Sequence, residues 1–164
     1  MRGKAGTIAA AAVLAAGLAV PAAVGAASVL KSRMTGAQIA NDDGGAPRGV
    51  AQATLRLNDA RNRVCFEVQY SGLGGKATAG YVRHGRRGHT ARPAIVLFSG
   101  RSASPVTGCV GEVGKRMLAG LSEHPGGYSV DLATAKLPKG AVRGQLRGAG
   151  EQQLEGAPSG GIGK

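Results

Sequence analysis

Apolar and polar residues alternate along several short stretches of this chain, a pattern typical of half-buried β-strands. In residues 64–70 the even-numbered side chains, beginning with Val64 and Phe66, share one face, and Cys65 and Glu67 fall on the opposite face. Further strands are predicted at residues 50–58, 77–84, 93–99, 127–134 and 141–146, near Val110, and before the Asn-Asp-Asp-Gly-Gly turn at 41–45. The pattern therefore predicts seven or eight short strands.

One segment breaks this two-residue period. In residues 112–127, Val113, Met117 and Leu121 are spaced by four and Pro125 follows, which predicts a short amphipathic helix. Short strands at regular spacing, with a single helix inserted among them, favour an all-β fold, an antiparallel β-sandwich or barrel.

The last predicted strand follows a turn that contains proline and glycine. Within residues 141–146 the even-numbered side chains are predicted to face the core, with Gly144 at a point of close packing. Arg143 and Gln145 are then expected to face the other way, either pairing across strands or meeting solvent.

Both ends of the chain differ from this middle part in composition. Residues 1–27 combine a positively charged start, a short apolar run and a stretch of small residues, the order found in secretory signal peptides. A membrane anchor is the alternative, but Gly17 interrupts the run, which lacks the ~20 apolar residues of a span. We expect cleavage after Ala26 or Ala27, a folded domain over 28–146, and a disordered Gly-rich tail over 147–164.

The signal peptide predicts an exported protein, extracellular or periplasmic, with no membrane span in its mature chain. Its charge is strongly basic, with 21 Lys and Arg against 9 Asp and Glu. Removal of Arg2 and Lys4 with the signal peptide lowers the formal net charge from +12 to +10. Such an excess attracts polyanions, although the scattered positions equally suit a role in solubility.

The densest basic stretch is residues 83–92, Arg-His-Gly-Arg-Arg-Gly-His-Thr-Ala-Arg. Arginine side chains on a glycine-rich loop are suited to phosphate or carboxylate groups. The candidate anion-binding residues are Arg83, Arg86, Arg87 and Arg92. Only Tyr81 offers a nearby aromatic ring, so sequence-specific recognition of nucleic acid is not expected here.

Two cysteines, Cys65 and Cys109, lie in the part of the chain that is expected to be exported. In an oxidising compartment two cysteines of one small domain most often form a disulfide. Free reactive thiols and a pair of metal ligands are the alternatives.

Candidate chemistry is sparse elsewhere. His84 and His89, five residues apart, are weak metal-ligand candidates, because zinc and copper sites need three or four converging ligands and neighbouring arginines repel a cation. The chain has no G-x-S-x-G motif, and the adjacent Asp42 and Asp43 fit ordinary turn chemistry. No catalytic residue and no cofactor is predicted.

The ordered motifs resemble a known family. They run from Thr-Gly-Ala-Gln at 35–38 through the Val-Cys and Ser-Gly-Leu contexts at 64–73, Gly-Cys-Val at 108–110 and Tyr-Ser-Val at 128–130, to Leu-Pro-Lys-Gly-Ala-Val-Arg-Gly-Gln-Leu at 137–146. In this order they are similar to the CHRD (chordin) domain over about residues 33–146. The resemblance implies an extracellular, immunoglobulin-like β-sandwich or barrel, with no general catalytic activity and no defined ligand.

The chain departs from the family pattern where relatives commonly carry histidines. The strand before the basic loop contains Tyr81 and Arg83 in place of an alternating His pair, unless His84 substitutes through a one-residue shift, and Ala133 stands where a further His is common. The resemblance therefore argues against a metal site in this protein.

The sequence favours an exported, non-enzymatic domain that binds a partner at the cell surface or in the extracellular space. That partner is an unknown extracellular protein or anionic polymer, and the oligomeric state stays open. A metal-binding or redox enzyme using His84 and His89, and polyanion binding through residues 83–92, are the alternative hypotheses.

Overall fold

The computed structural model describes residues 29–39, 44–86, 89 and 92–149 of the chain. The predicted signal peptide at 1–27, the Asp42–Asp43 pair, Arg87, and residues 150–164 of the predicted tail lie outside the described residues.

The described residues form eight strands and one α-helix, which confirms the predicted all-β class. The strands are β1 (Val29–Thr35), β2 (Val50–Asn58), β3 (Arg63–Ser71), β4 (Ala77–His84), β5 (Pro93–Ser102), β6 (Val106–Val110), β7 (Tyr128–Thr134) and β8 (Val142–Gly148). The helix α1 (Lys115–Glu123) and a short 3-10 turn (Pro125–Gly127) precede β7. Strand β8 thus includes residues 147 and 148, the first two of the predicted tail.

All eight strands belong to one antiparallel sheet, in the order β5-β4-β7-β8-β1-β2-β3-β6. Strands β5 and β6 follow each other along the chain but occupy the two opposite edges. A flat sheet of this size would hold its edges roughly 34 Å apart, at about 4.8 Å per strand. The chain from Ser102 to Val106 spans at most about 14 Å, so the sheet curls into a nearly closed barrel.

Tyr70, near the end of β3, ties this closing connection to the rest of the barrel. Its backbone N–H donates to Ser104 Oγ at 2.9 Å, and its hydroxyl donates to the carbonyl of Ser102. The same hydroxyl accepts a hydrogen bond from the N–H of Ala77 at 3.0 Å, where β4 begins. One side chain therefore links β3, β4 and β5 at the point of closure.

The core consists of aliphatic side chains directed into the barrel, because alternate residues of each strand share one face. The largest fully buried ones are Leu30, Met34, Leu55, Leu57, Leu118, Leu121, Leu132, Leu146, Val64, Val68, Val82 and Val130. Helix α1 covers part of this core with Leu118 and Leu121.

Two strand predictions can be compared with this core. Gly144 does face a point of close approach, since an added Cβ would overlap Arg33 O and Ser32 Oγ of β1. The strand predicted at 127–134 is observed as β7, but all seven of its residues are buried, so the alternation of its side chains does not produce an exposed face. The face that holds Ser129 and Asp131 is covered by long side chains from β4 and β8.

Cys65 and Cys109 form a disulfide, as predicted. They are direct register partners of β3 and β6, on the outer face of the barrel. The bond fixes the edge strand β6 and joins positions separated by 44 residues.

We expect replacement of both cysteines by alanine to lower the free energy of unfolding by about 4 kcal/mol, because the unfolded chain regains the entropy of an open loop of this length. Urea unfolding followed by far-UV circular dichroism measures the change. Reductant should lower the midpoint of the natural protein and leave that of the Cys65→Ala/Cys109→Ala variant unchanged. An unchanged midpoint for both would contradict a stabilising role for the bond.

Candidate functional site

A polar cluster occupies the outer face of the three adjacent strands β4, β7 and β8. Asp131 of β7 is the register partner of Arg143 on β8 and of Tyr81 on β4, and Arg83 lies one same-face position further along β4. Side chains two residues apart on a strand share a face, so the pairing of these strands brings the polar groups together.

The centre of the cluster is one carboxylate between two guanidinium groups. Arg83 Nε lies 2.9 Å from Asp131 Oδ2, and Arg143 Nε lies 3.2 Å from Asp131 Oδ1. Arg143 is only 3% exposed, as is Asp131. A buried charge is tolerated only when it is paired and hydrogen-bonded, and each charge here has a partner.

Ser129 adds hydrogen bonds to Arg143 and Asp131 within this cluster. Its Oγ accepts from Arg143 Nε at 3.1 Å and from Nη2 at 3.0 Å, and it lies 3.4 Å from Asp131 Oδ1, to which it donates. The Arg83 guanidinium also stacks 5.0 Å above the centre of the Tyr81 ring, a cation–π contact.

Burial raises the pKa of Asp131 above its ordinary value, while the charges of Arg143 and Arg83 act in the opposite direction. Both carboxylate oxygens are engaged by arginine, and the side chain is almost fully shielded from solvent. A general base must contact the proton that it removes from its substrate. The shielded carboxylate of Asp131 does not offer such contact. The cluster therefore links the three strands β4, β7 and β8 to one another.

Gln145 of β8 forms a second polar link at the same end of the barrel. Its Nε2 lies 2.8 Å from Gly85 O, 2.9 Å from Gly126 O and 2.8 Å from Tyr128 O. This amide connects the end of β4 to the turn before β7.

Arg143 was predicted either to pair across strands or to meet solvent. It pairs across strands with Asp131 and is almost fully shielded from solvent.

The predicted anion-binding residues do not form one group. Arg83 is held by Asp131, while Arg86 and Arg92 are exposed, and Arg87 lies outside the described residues. Neither Arg86 nor Arg92 makes an ion pair with a described residue. Anion binding by this loop stays a prediction.

The two histidines proposed as weak metal ligands lie in different environments. The His84 ring packs on Tyr128 with 4.5 Å between ring centres, and burial raises the pKa of Tyr128. His89 is exposed, and its backbone N–H donates to the carbonyl of Arg86 at 3.1 Å. Among the described residues no three His, Cys, Asp or Glu side chains converge in a way that would hold a metal ion.

The Arg83–Asp131–Arg143 cluster was not predicted from the sequence. Its signal was present in part, because Arg83, Asp131 and Arg143 each occupy a polar position of a predicted strand. The missing information was that the strands pair in the order β4-β7-β8, which brings residues up to 60 positions apart onto one face.

In the part of the chain that the structure describes, no helix has the length and apolar character needed to cross a membrane. Comparison with family models finds a match to the CHRD domain over residues 30–146, a range that includes nearly all of the sheet from β1 to β8. Searches among curated proteins and among solved structures find no match.

We expect Asp131→Asn to lower the free energy of unfolding by about 3–5 kcal/mol, because it removes the carboxylate that pairs with the deeply buried Arg143. Asp59→Asn, at an exposed position beside β2, is the matched control and should change stability by less than about 0.5 kcal/mol. Urea unfolding of both variants measures the difference. Equal effects would show that the cluster does not stabilise the packing of β4, β7 and β8.

Proposed function

The chain belongs to the CHRD domain family, and we propose that it is an exported, non-enzymatic domain that binds a partner at the cell surface or in the extracellular space. The family consists of non-enzymatic β-domains, and the fold of this chain agrees with that description.

The observation that carries this proposal is the state of the Arg83–Asp131–Arg143 cluster. Among the described residues Asp131 is the one buried carboxylate, and it is shielded and neutralised by two arginines. Catalytic acids and bases work in clefts that admit substrate, with pKa values matched to their task. A barrel whose buried charges join strands supports a binding role in preference to catalysis.

Export is supported by two independent features. Residues 1–27 have the composition of a secretory signal peptide. The disulfide between Cys65 and Cys109 is of a kind that persists in oxidising compartments and is rare in the cytosol.

An anionic partner is supported by the charge of the chain. The formal net charge is +12, and it stays strongly positive after removal of the predicted signal peptide. A second candidate function, binding of a polyanion through residues 83–92, is favoured by Arg86 and Arg92, which are exposed and make no ion pair with described residues.

Export predicts that the full chain, expressed in its own host with a C-terminal tag, appears in the extracellular or periplasmic fraction, oxidised and shortened by 26 or 27 residues. Intact mass under non-reducing conditions measures both changes. A chain that lacks residues 2–27 is the control and should stay in the cytoplasm with reduced cysteines. Retention of the full chain in the cytoplasm would contradict export.

A surface partner should be recovered when the mature protein is cross-linked to the envelope fraction of its host, and it should be absent when a basic protein of equal net charge is used. Equal recovery by the two baits would argue against a specific partner.

The polyanion alternative predicts that Arg86→Glu/Arg92→Glu weakens binding to a mixed-sequence DNA duplex and reduces the slope of log K against log salt by about two, one for each lost cation. Lys115→Glu/Arg116→Glu, an equal charge change at the exposed start of α1, is the control. Equal loss in the two variants would remove loop 83–92 as a specific binding site.

A further inference from the structure

Away from the polar cluster, two adjoining cavities open between three connecting segments of the barrel. One has a volume of about 580 Å³ and the other about 340 Å³, and Gly74 and Lys136 line both. We call this combined feature the loop groove; its walls are residues 46–48, 72–76 and 134–137, with Arg101 at one end. The larger cavity alone falls in the size range of small-molecule sites.

The floor of the loop groove is apolar. Ala46 and Leu73 are both buried, Leu137 is half-buried, and Pro47 extends the same surface. In the described part of the chain, no Phe, Tyr or Trp lines either cavity. Bases of nucleic acids usually bind single-strand sites by stacking on aromatic rings, so this floor suits an aliphatic chain better than a nucleobase.

The walls of the groove are fixed by backbone contacts. Gly72 has a φ of +67°, and an added Cβ would overlap the carbonyl of Arg48, so these two segments approach as closely as the backbone allows. In the third segment the backbone N–H of Leu137 donates to two oxygens of Thr134, the carbonyl at 3.2 Å and Oγ1 at 3.1 Å. The backbone N–H of Thr134 donates in return to Leu137 O at 3.2 Å. The groove is therefore largely formed before any ligand arrives.

Four cations surround this apolar floor: Arg48, Lys76, Arg101 and Lys136. All four are exposed, and none makes an ion pair with a described residue. Among the residues that the structure describes, no Asp or Glu lines either cavity. These four charges are spread over nearly ninety positions of the sequence, and the fold brings them together around one apolar surface.

We propose that the loop groove binds a single-chain anionic lipid, an alkyl chain that ends in a carboxylate or a phosphate. The alkyl chain lies over Leu73, Leu137 and Pro47, where its methylene groups leave water and contact an apolar surface. The anionic head meets the cations at the rim, Lys136 being the one that both cavities share. This site lies on segments other than loop 83–92, and the inference holds whether or not the partner proposed above exists.

The test uses the purified full chain and dansylamino-undecanoate, whose fluorescence rises when it leaves water. We expect saturable binding of one probe per chain, with displacement by dodecanoate or by dodecyl phosphate below their micellar concentrations. The stronger of these two competitors identifies the head group. Acetate, which lacks the alkyl chain, and dodecyltrimethylammonium, which carries the opposite charge, should not displace the probe.

A charge-reversal pair locates the site. Arg48→Glu/Lys136→Glu should weaken dodecanoate binding at least tenfold, whereas Lys115→Glu/Arg116→Glu, with the same change in net charge on α1, should change it less than twofold. Leu137→Asp should weaken binding as strongly, with thermal unfolding used to confirm that the variant is folded. Absence of saturable binding, displacement by dodecyltrimethylammonium, or equal loss in the two charge-reversal pairs would each overturn the proposal.

Discussion

The closure of the sheet between β5 and β6 is the constraint on which the rest of this structure depends. The residues between Ser102 and Val106 are too few to join the edges of a flat eight-stranded sheet. The strands must therefore curl, and their inner side chains fill the interior with leucine and valine. Tyr70 holds the connection through hydrogen bonds to Ser102 and Ser104, and the disulfide holds β6 against β3 beside it.

Curling also determines where polar groups are buried. Strand β7 has β4 on one side and β8 on the other, and long side chains from both neighbours cover its outer face. Asp131 sits there between Arg83 and Arg143, with Ser129 as a hydrogen-bond partner. The observed strand order is the one that brings these buried charges together.

The same geometry separates the surfaces that are free to bind. The side chains of the polar cluster bind one another, so the charged side chains that a ligand could reach lie on the loops. Lys136 and Arg48, distant in sequence, meet at the loop groove, whereas Arg86 and Arg92 remain on the loop between β4 and β5. A small β-barrel with few functional side chains thus offers two cationic regions of different character, one beside an apolar floor and one open to solvent.

Much of the fold follows from the sequence. Alternation around Val64 and Phe66 predicted β3, the four-residue spacing of Met117 and Leu121 predicted the helix, and the motifs ending at Leu146 indicated the family. These features are local, because a strand or helix shows its exposed and buried faces within a few residues. The disulfide between Cys65 and Cys109 was also predictable, since these are the two cysteines of the sequence and both lie in the part predicted to be exported.

By itself, then, the sequence determined the class of fold, the elements, the family and the one covalent cross-link. Only the tertiary structure decided that β7 is buried on both faces, that Arg143 is a buried partner of Asp131, and that Arg48 and Lys136 border one groove. The physical reason is that these facts depend on strand order and on the closure of the sheet. Strand order brings together residues far apart in the chain, and no local pattern of apolar and polar positions records it.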